Sequence, residues 1–200
     1  MIKNFTPEPN FQFDATQLTE DFLKIEATAP GKSTYWLTML TPEAADDLTT
    51  LHDPSYIKNV YPPEAFKDMA TLWKTNNDKL SVDNFHSFMR GSYTHQVVLE
   101  LEEHLRSQGK RITIVSYHKL YVAKCYPMHT DIMEARYHIP LVTNKHAYLM
   151  MENGTNTENY EIWRMPDLGK VYVFTPQSMH TAINAGYQPR IHLLIDYIDI

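Results

Sequence analysis

The stretch that decides the fold is ITIVSYHKLYVAKCY, residues 112–126. It is rich in β-branched and aromatic residues, which favour strands. Further short runs of this kind follow at 136–142, 146–151, 159–163, 170–174, 179–184 and 189–197. Turn residues, such as Asn184-Ala185-Gly186, separate these runs. Roughly seven or eight short strands in about 90 residues predict a closed or double-sheet antiparallel β structure.

Residues 1–110 have a different pattern. The spacing of apolar residues predicts helices over 14–25, with Asp14 or Thr16 as N-cap, and over 63–74 and 97–106. A short helix is predicted to begin at Pro42, and strand-like segments lie at 1–14 and 35–40. We therefore predict a mainly β (α+β) protein that is a single domain, 1–200. In it, residues 1–110 form a helical and irregular elaboration that braces the β core of residues 111–200.

Composition excludes several classes of partner. The chain has 200 residues and a formal net charge of −6, so it lacks the basic footprint of proteins that bind nucleic acid or anionic membranes. Its single cysteine, Cys125, excludes internal disulfides and favours a reducing compartment. No secretory leader or membrane-spanning run is apparent. We expect a cytoplasmic protein with no nucleic-acid or membrane partner, and the sequence does not indicate an oligomeric state.

A candidate metal site lies at the end of the deciding stretch, in CYPMHTD, residues 125–131. His129 and Asp131 are two residues apart and would point to the same side of an extended chain. With His180 from a late strand they would make two imidazoles and one carboxylate, the set that leaves three positions open on iron(II). With ten histidines in the chain, chance also supplies such pairs. A surface pair at His129 and Asp131, and a core histidine at 180, are the alternatives.

An arginine ten residues after His180 suggests an anion beside this metal. Arg190 lies on a predicted sheet face, where a guanidinium can bind a carboxylate bidentately. A dicarboxylate cosubstrate could chelate the metal at one end and meet Arg190 at the other. Arg136 and His138 add a second pair of donors. The structural alternatives are ion pairs, of Arg190 with Asp196 or Asp167 and of Arg136 with Glu134 or Asp131, and a core hydrogen bond for His138.

Taken together, these motifs resemble the aspartyl/asparaginyl β-hydroxylase family. The ordered set spans roughly residues 112–197 and consists of His129-Thr130-Asp131, Arg136-Tyr137-His138-Ile139-Pro140-Leu141, Gly169, His180, Arg190, His192-Leu193 and Asp196. Members of this family are iron(II)- and 2-oxoglutarate-dependent dioxygenases. The resemblance implies a double-stranded β-helix, a jelly-roll or cupin-like core, for this chain.

The resemblance also implies roles for individual residues. His129, Asp131 and His180 would ligate iron(II), Arg190 would bind the distal carboxylate of 2-oxoglutarate, and Arg136 and His138 would lie at the cosubstrate. The carboxylate at Asp131 implies hydroxylation with O2 rather than halogenation.

The implied substrate is an amino-acid side chain of Asp, Asn or Pro type, free or within a protein. A cupin-like metal-binding protein or isomerase without 2-oxoglutarate turnover is the alternative. Residues 76–95, with Arg90, are a candidate lid, and Arg164 or Arg90 is a candidate anchor for a substrate carboxylate. His118 and Lys119 are further candidates for contact with the cosubstrate.

Overall fold

Two antiparallel sheets form the body of the protein in a computed structural model that describes residues 5–39, 42–51, 80–131, 133, 135–152 and 159–200. The strands are β1 (Phe5–Gln12), β2 (Thr34–Trp36), β3 (Lys110–Leu120), β4 (Lys124–Cys125), β5 (Ala135–Val142), β6 (Ala147–Glu152), β7 (Tyr160–Trp163), β8 (Lys170–Phe174), β9 (His180–Asn184) and β10 (Arg190–Asp199). All of the strand runs predicted after residue 111 are present.

The order of the strands identifies the architecture. The larger sheet runs β1-β8-β5-β10-β3-β2, and the smaller sheet runs β4-β9-β6-β7. From β3 onward the chain passes repeatedly from one sheet to the other, and every pairing is antiparallel. This is a double-stranded β-helix, so the predicted fold class is confirmed.

The deciding stretch forms two strands instead of one. β3 ends at Leu120, and the chain then turns through Ala123, whose φ of 55° is unusual for a residue with a side chain. After this turn β4 pairs with β9 in the other sheet. The break carries the chain from the larger to the smaller sheet, directly before His129.

Helices cover the outer face of the larger sheet. They are α1 (Ala15–Thr28), α2 (Pro42–Asp46) and α3 (Tyr93–Arg106), and short 3-10 turns occupy Leu48–Leu51, Val82–Asn84 and Ser87–Met89. Asp14 caps α1 as predicted, by accepting hydrogen bonds from the amides of Thr16 and Gln17. α3 begins four residues before its predicted start because Ser92 caps it. The helix predicted over 63–74 lies outside the described residues.

The faces of the central strands differ in chemistry. Alternate residues such as Tyr117, Ile139 and Leu193 are buried against α1 and α3 in the main hydrophobic cluster, which joins both halves of the chain. The residues between them in sequence face the smaller sheet, and many of these are polar. No helix among the described residues is long and apolar enough to cross a lipid bilayer.

Candidate active site

Backbone pairing brings the predicted metal ligands together. His129 and His180 form a two-way bridge, with N–O distances of 3.0 and 2.8 Å, and the amide of Asp131 donates to the carbonyl of Pro176 at 2.9 Å. The segment after β4 is thereby bound to the start of β9. As a result the ligand atoms of His129, Asp131 and His180 all lie within 4.8 Å of one another.

Hydrogen bonds to backbone carbonyls set the tautomer of both histidines. Nδ1 of His129 donates to the carbonyl of Pro127 at 2.7 Å, and Nδ1 of His180 donates to that of Ser178 at 2.8 Å. A carbonyl can only accept, so in the neutral ring the proton is on Nδ1 and the lone pair is on Nε2. Each Nε2 lies 3.8 Å from an oxygen of Asp131. Burial also lowers the pKa of His180, which favours the neutral imidazole that a metal needs.

Arg136 holds the carboxylate of this cluster. Its Nη1 donates to Oδ2 of Asp131 at 2.6 Å, and its Nε and Nη2 donate to the two oxygens of Asp196 at 2.6 and 3.1 Å. Burial opposes the charge of Arg136, but Asp196 and Asp131 raise its pKa above the ordinary value. Of the alternatives that the sequence left open, the contact with Asp131 is present. Glu134 lies outside the described residues.

Arg190 is a buried cation of a different kind. It is 4% exposed, and its Nη2 has no hydrogen-bond partner among the described residues. Neither carboxylate considered as its partner is available, because Asp196 is bound by Arg136 and Asp167 contacts Lys170 and Tyr172. Burial lowers the pKa of Arg190 to about 10. A buried guanidinium without a counterion in the described part of the chain has the chemistry to bind an anion.

Neutral histidines surround this arginine. Both ring nitrogens of His138 and of His192 lack partners within the described ranges, and burial lowers the pKa of each well below the ordinary value. Burial, with Arg136 and Arg190, lowers the pKa of His118 to about 3. These rings are therefore uncharged and can offer a hydrogen bond to an anion without adding charge.

A single cavity of about 550 Å³ connects these groups between the two sheets. Its wall contains all six residues proposed from the sequence: His129, Asp131, His180, Arg136, His138 and Arg190. Apolar side chains, including Phe174 and Leu194, complete much of the surface. The candidate metal ligands and a buried cation therefore line one cavity, which suits a chelating dicarboxylate.

Other candidates are divided between the cavity and the rest of the molecule. His118 lines the cavity, whereas Lys119 points away and pairs with Glu26. Arg90 donates to the carbonyls of Phe85 and Asp83, and neither it nor Arg164 lines the cavity. Within the described part of the predicted lid, 80–95, Phe85, His86 and Met89 are almost fully buried.

Sequence reasoning did not assign Tyr126 or identify the partner of Asp196, although both residues line the cavity. Tyr126 lies in the CYPMHTD motif, so its proximity to His129 was available from the sequence. Asp196 lies directly opposite Arg136 in the pairing of β10 with β5. That register joins residues 60 positions apart and has no local signal.

Comparisons with known proteins identify the family and the fold. Residues 48–199 match the model of the Aspartyl/Asparaginyl beta-hydroxylase family. The fold is similar to that of an oxidoreductase of the 2OG-Fe(II) oxygenase family from Burkholderia pseudomallei, with a TM-score of 0.53, 14% identity, and 97% of this chain and 84% of that chain covered. No curated protein matches the chain in sequence.

Two further solved structures share the fold. The viral collagen prolyl hydroxylase of Paramecium Bursaria Chlorella virus-1 aligns with a TM-score of 0.53 and 8% identity, over 100% of this chain and 97% of that chain. A non-heme alpha ketoglutarate dependent epimerase from nogalamycin biosynthesis aligns with a TM-score of 0.52 and 13% identity, over 98% of this chain and 78% of that chain.

These observations define the class: the protein is a 2-oxoglutarate-dependent oxygenase with a double-stranded β-helix core. Within that class, the chain belongs to the aspartyl/asparaginyl β-hydroxylase family. Iron(II), 2-oxoglutarate and O2 are the cofactor and cosubstrates of this class. The donor set fits them, since two neutral imidazoles and a carboxylate suit iron(II) and the unpartnered Arg190 suits a carboxylate.

Proposed function

We propose that this protein hydroxylates an amino-acid side chain of Asp, Asn or Pro type, either free or within a protein. The observation that carries the proposal is the shared cavity, in which the three-ligand cluster and the buried, unpartnered Arg190 face the same space. When bound, iron(II) couples the oxidative decarboxylation of 2-oxoglutarate by O2, which gives succinate and CO2, to insertion of the other oxygen atom into a substrate C–H bond.

Three residues would hold the iron in this proposal: His129, Asp131 and His180. The bonds from their Nδ1 atoms to backbone carbonyls keep both imidazoles in one orientation with Nε2 toward the cavity. The bond from Arg136 fixes the rotamer of Asp131 and leaves Oδ1 toward His129. The ligands are thus oriented before a metal arrives, which lowers the cost of binding it.

Cosubstrate binding is assigned to Arg190, His138 and Arg136. Arg190 would meet the distal carboxylate of 2-oxoglutarate, and the unpartnered ring nitrogens of His138 would bond to the part nearer the metal. A guanidinium has five N–H groups, and the three bonds of Arg136 to Asp131 and Asp196 leave one on each Nη. Arg136 can therefore orient Asp131 and contact the cosubstrate at once.

The wall beyond the cosubstrate would accept the substrate. Trp36, Ile114 and Met133 line the cavity, and they pack with Leu80 in a small apolar cluster. These residues suit an apolar part of a substrate, such as methylene groups or a ring. Among the described residues that line the cavity, the arginines are Arg136 and Arg190, both already assigned. Of the described cavity residues, Arg136 is thus the one that could also meet the carboxylate of a free amino acid, whereas a peptide would not need it.

The decisive experiment measures succinate release with iron(II), 2-oxoglutarate and O2 against a panel of free amino acids and matching peptides. We expect H129A and D131A to abolish metal-dependent turnover, and H146A, at an exposed histidine, to leave it unchanged. Mass spectrometry of the product should show the gain of one oxygen atom. An isomer of unchanged mass would indicate epimerisation, and bound metal without succinate under all conditions would favour the cupin-like alternative.

We also propose that residues 1–200 act as one domain in the cytoplasm. The main hydrophobic cluster, which contains residues of both halves of the chain, supports the first statement. The single, unpaired Cys125 supports the second, because it suits a reducing compartment.

A further inference from the structure

The cavity has two ends that differ in chemistry. It is lined along both β3 and β10, from His118 and Arg190 at one end to Ile114 and Asp196 at the other. Arg190 and Asp196 are six residues apart on one strand, which is about 20 Å. A five-carbon acid bound at Arg190 is much shorter than that distance. The end near Ile114 therefore lies beyond the cosubstrate, where a substrate would enter.

Apolar side chains line this second end, and we call four of them the apolar wall: Trp36, Ile114, Met133 and Leu194. Trp36 and Leu194 lie on either side of Ser116, because both are paired with it across neighbouring strands. Ile114 and Met133 are 4% and 7% exposed and pack with Trp36 in one cluster. Trp36 itself is partly exposed, so the apolar wall extends from the interior toward solvent. An apolar group that enters here exchanges water for contacts with carbon atoms.

The charged side chains beside the apolar wall are already bonded to one another. Arg136 donates to Asp131 and to Asp196, so two carboxylates share one guanidinium. Ser116 and Thr130, which also line the cavity, carry uncharged hydroxyls. A carboxylate on the substrate would lie beside two anions and compete with them for Arg136. Burial of a charge without its own counterion is unfavourable.

The charges of the described cavity also balance without a contribution from the substrate. Apart from histidines, the ionisable side chains of opposite sign in its described wall are two arginines and two aspartates: Arg136, Arg190, Asp131 and Asp196. The charge of iron(II) offsets that of the 2-oxoglutarate dianion. A substrate side chain with a net charge would therefore remain uncompensated in the described part of the cavity.

We propose that the substrate presents an uncharged, apolar side chain to the apolar wall, an aliphatic chain or ring, and that an aspartyl side chain is excluded. This inference rests on the proposed function, because it requires that a 2-oxo acid occupies the end at Arg190. Of the three side-chain types named there, it selects the Pro type. An asparagine side chain falls between the two extremes, because its amide has no charge but has donors and acceptors that carbon atoms cannot satisfy.

The test compares side chains of one shape. Leucine, asparagine and aspartate have the same branched outline and differ in polarity and charge, and proline is added as the proposed type. Each is offered as a free amino acid and as the central residue of a capped five-residue peptide. Affinities are measured by calorimetry, without turnover, on protein loaded anaerobically with manganese(II) and 2-oxoglutarate. Leucine and proline ligands should bind about ten-fold or more tightly than asparagine ligands, and these about three-fold or more tightly than aspartate ligands.

Two tryptophans provide a matched pair of variants. Trp36 belongs to the apolar wall, whereas Trp163 packs against a different apolar cluster and does not line the cavity. W36A should weaken binding of the leucine and proline ligands by about five- to ten-fold, because an aromatic face is lost. Its affinity for 2-oxoglutarate should stay within about two-fold, since Arg190 lies at the other end. W163A should leave both affinities unchanged, and urea midpoints check the folding of both variants.

The comparison of ligands on wild-type protein does not depend on the folding of any variant. Equal affinities for the leucine and aspartate ligands, tighter binding of aspartate or asparagine, or no binding of any ligand by the loaded protein would overturn the inference. So would unchanged binding of the apolar ligands by folded W36A. If the wild type does not bind 2-oxoglutarate in a metal-dependent way, the proposed function itself fails, and this is measured first, so the two failures are distinguished.

Discussion

Replacing Arg190 by methionine should stabilise the ligand-free protein and remove its response to 2-oxoglutarate. Burial lowers the pKa of this arginine to about 10 from an ordinary 12.5. That difference corresponds to about 3 kcal/mol of unfavourable free energy for the charged form in the folded state. Methionine is also long and unbranched, but it carries no charge to desolvate. After allowance for lost packing, R190M should gain about 1–3 kcal/mol in the free energy of unfolding.

2-Oxoglutarate should stabilise the wild type but not R190M. Wild-type protein with 2-oxoglutarate at about one hundred times its Kd should gain about 2.7 kcal/mol, because the ligand binds only the native state. R190M should gain almost nothing at the same concentration. Urea unfolding followed by tryptophan fluorescence, with manganese(II) present and with or without 2-oxoglutarate, measures both quantities. The chain has three tryptophans to report the transition.

Arg136 provides the matched control. It is also an arginine of the cavity wall, with a side chain only 14% exposed, but it is bonded to Asp131 and Asp196. R136M leaves a buried carboxylate without its counterion and should lose about 3–5 kcal/mol. The two Arg-to-Met variants should therefore shift in opposite directions. A loss of more than about 1 kcal/mol in ligand-free R190M would mean that its guanidinium has a structural partner. A retained shift with 2-oxoglutarate would mean that the dicarboxylate binds elsewhere.

Three further perturbations test other parts of the structure. D196N removes the carboxylate that anchors Arg136, and it should weaken metal binding about ten- to a hundred-fold without removing a metal ligand. Titration with cobalt(II) measures the Kd, and an unchanged value would contradict the positioning role of Asp196. Burial lowers the pKa of His192, so protonation of its ring destabilises the folded state. Its contribution to the free energy of unfolding is complete above about pH 6.5 and decreases below that value, by about 1.4 kcal/mol at pH 5.5. In urea titrations at pH 7.5 and 5.5, H192L should reduce the difference in the free energy of unfolding by about 1.4 kcal/mol and leave the share of His118 and His138, whose pKa values are also lowered by burial. An unchanged difference between the two pH values would refute the assignment. Gly169 has a φ of +77°, and a Cβ there would lie 2.0 Å from the carbonyl oxygen of Phe13. G169A should therefore lose clearly more stability in thermal unfolding than G109A, where φ is +73°, no atom is nearby and the cost is about 1–2 kcal/mol. Equal losses would show that the close contact relaxes freely.

The local sequence pattern was sufficient to predict the strands of the β core. Each apolar and β-branched run after residue 111 became a strand, since alternation along a strand depends on neighbouring residues only. The exception was the division of 112–126 into β3 and β4. Val122 and Ala123 are compatible with a strand by composition, but the turn there is required by the passage of the chain between sheets. Such a requirement comes from the closed architecture as a whole.

The candidate site shows the same contrast. His129 and Asp131 share a side of the chain because they are two residues apart, and this is a local property. Whether Arg190 pairs with Asp196 is not local. Six residues on one strand span about 20 Å, so the two side chains cannot meet. Asp196 instead lies opposite Arg136 on β5, and Arg190 is left without a carboxylate in the described structure.

The sequence by itself therefore determined the strands, the fold class and the residues with chemistry suited to iron and a dicarboxylate. The tertiary structure alone decided which of these residues are paired with each other and which have no partner among the described residues. The physical reason is that hydrogen-bonding capacity belongs to each residue, whereas its satisfaction depends on strand register, and register is set by packing across the whole of both sheets. The unpartnered Nη2 of Arg190 became visible only through that register.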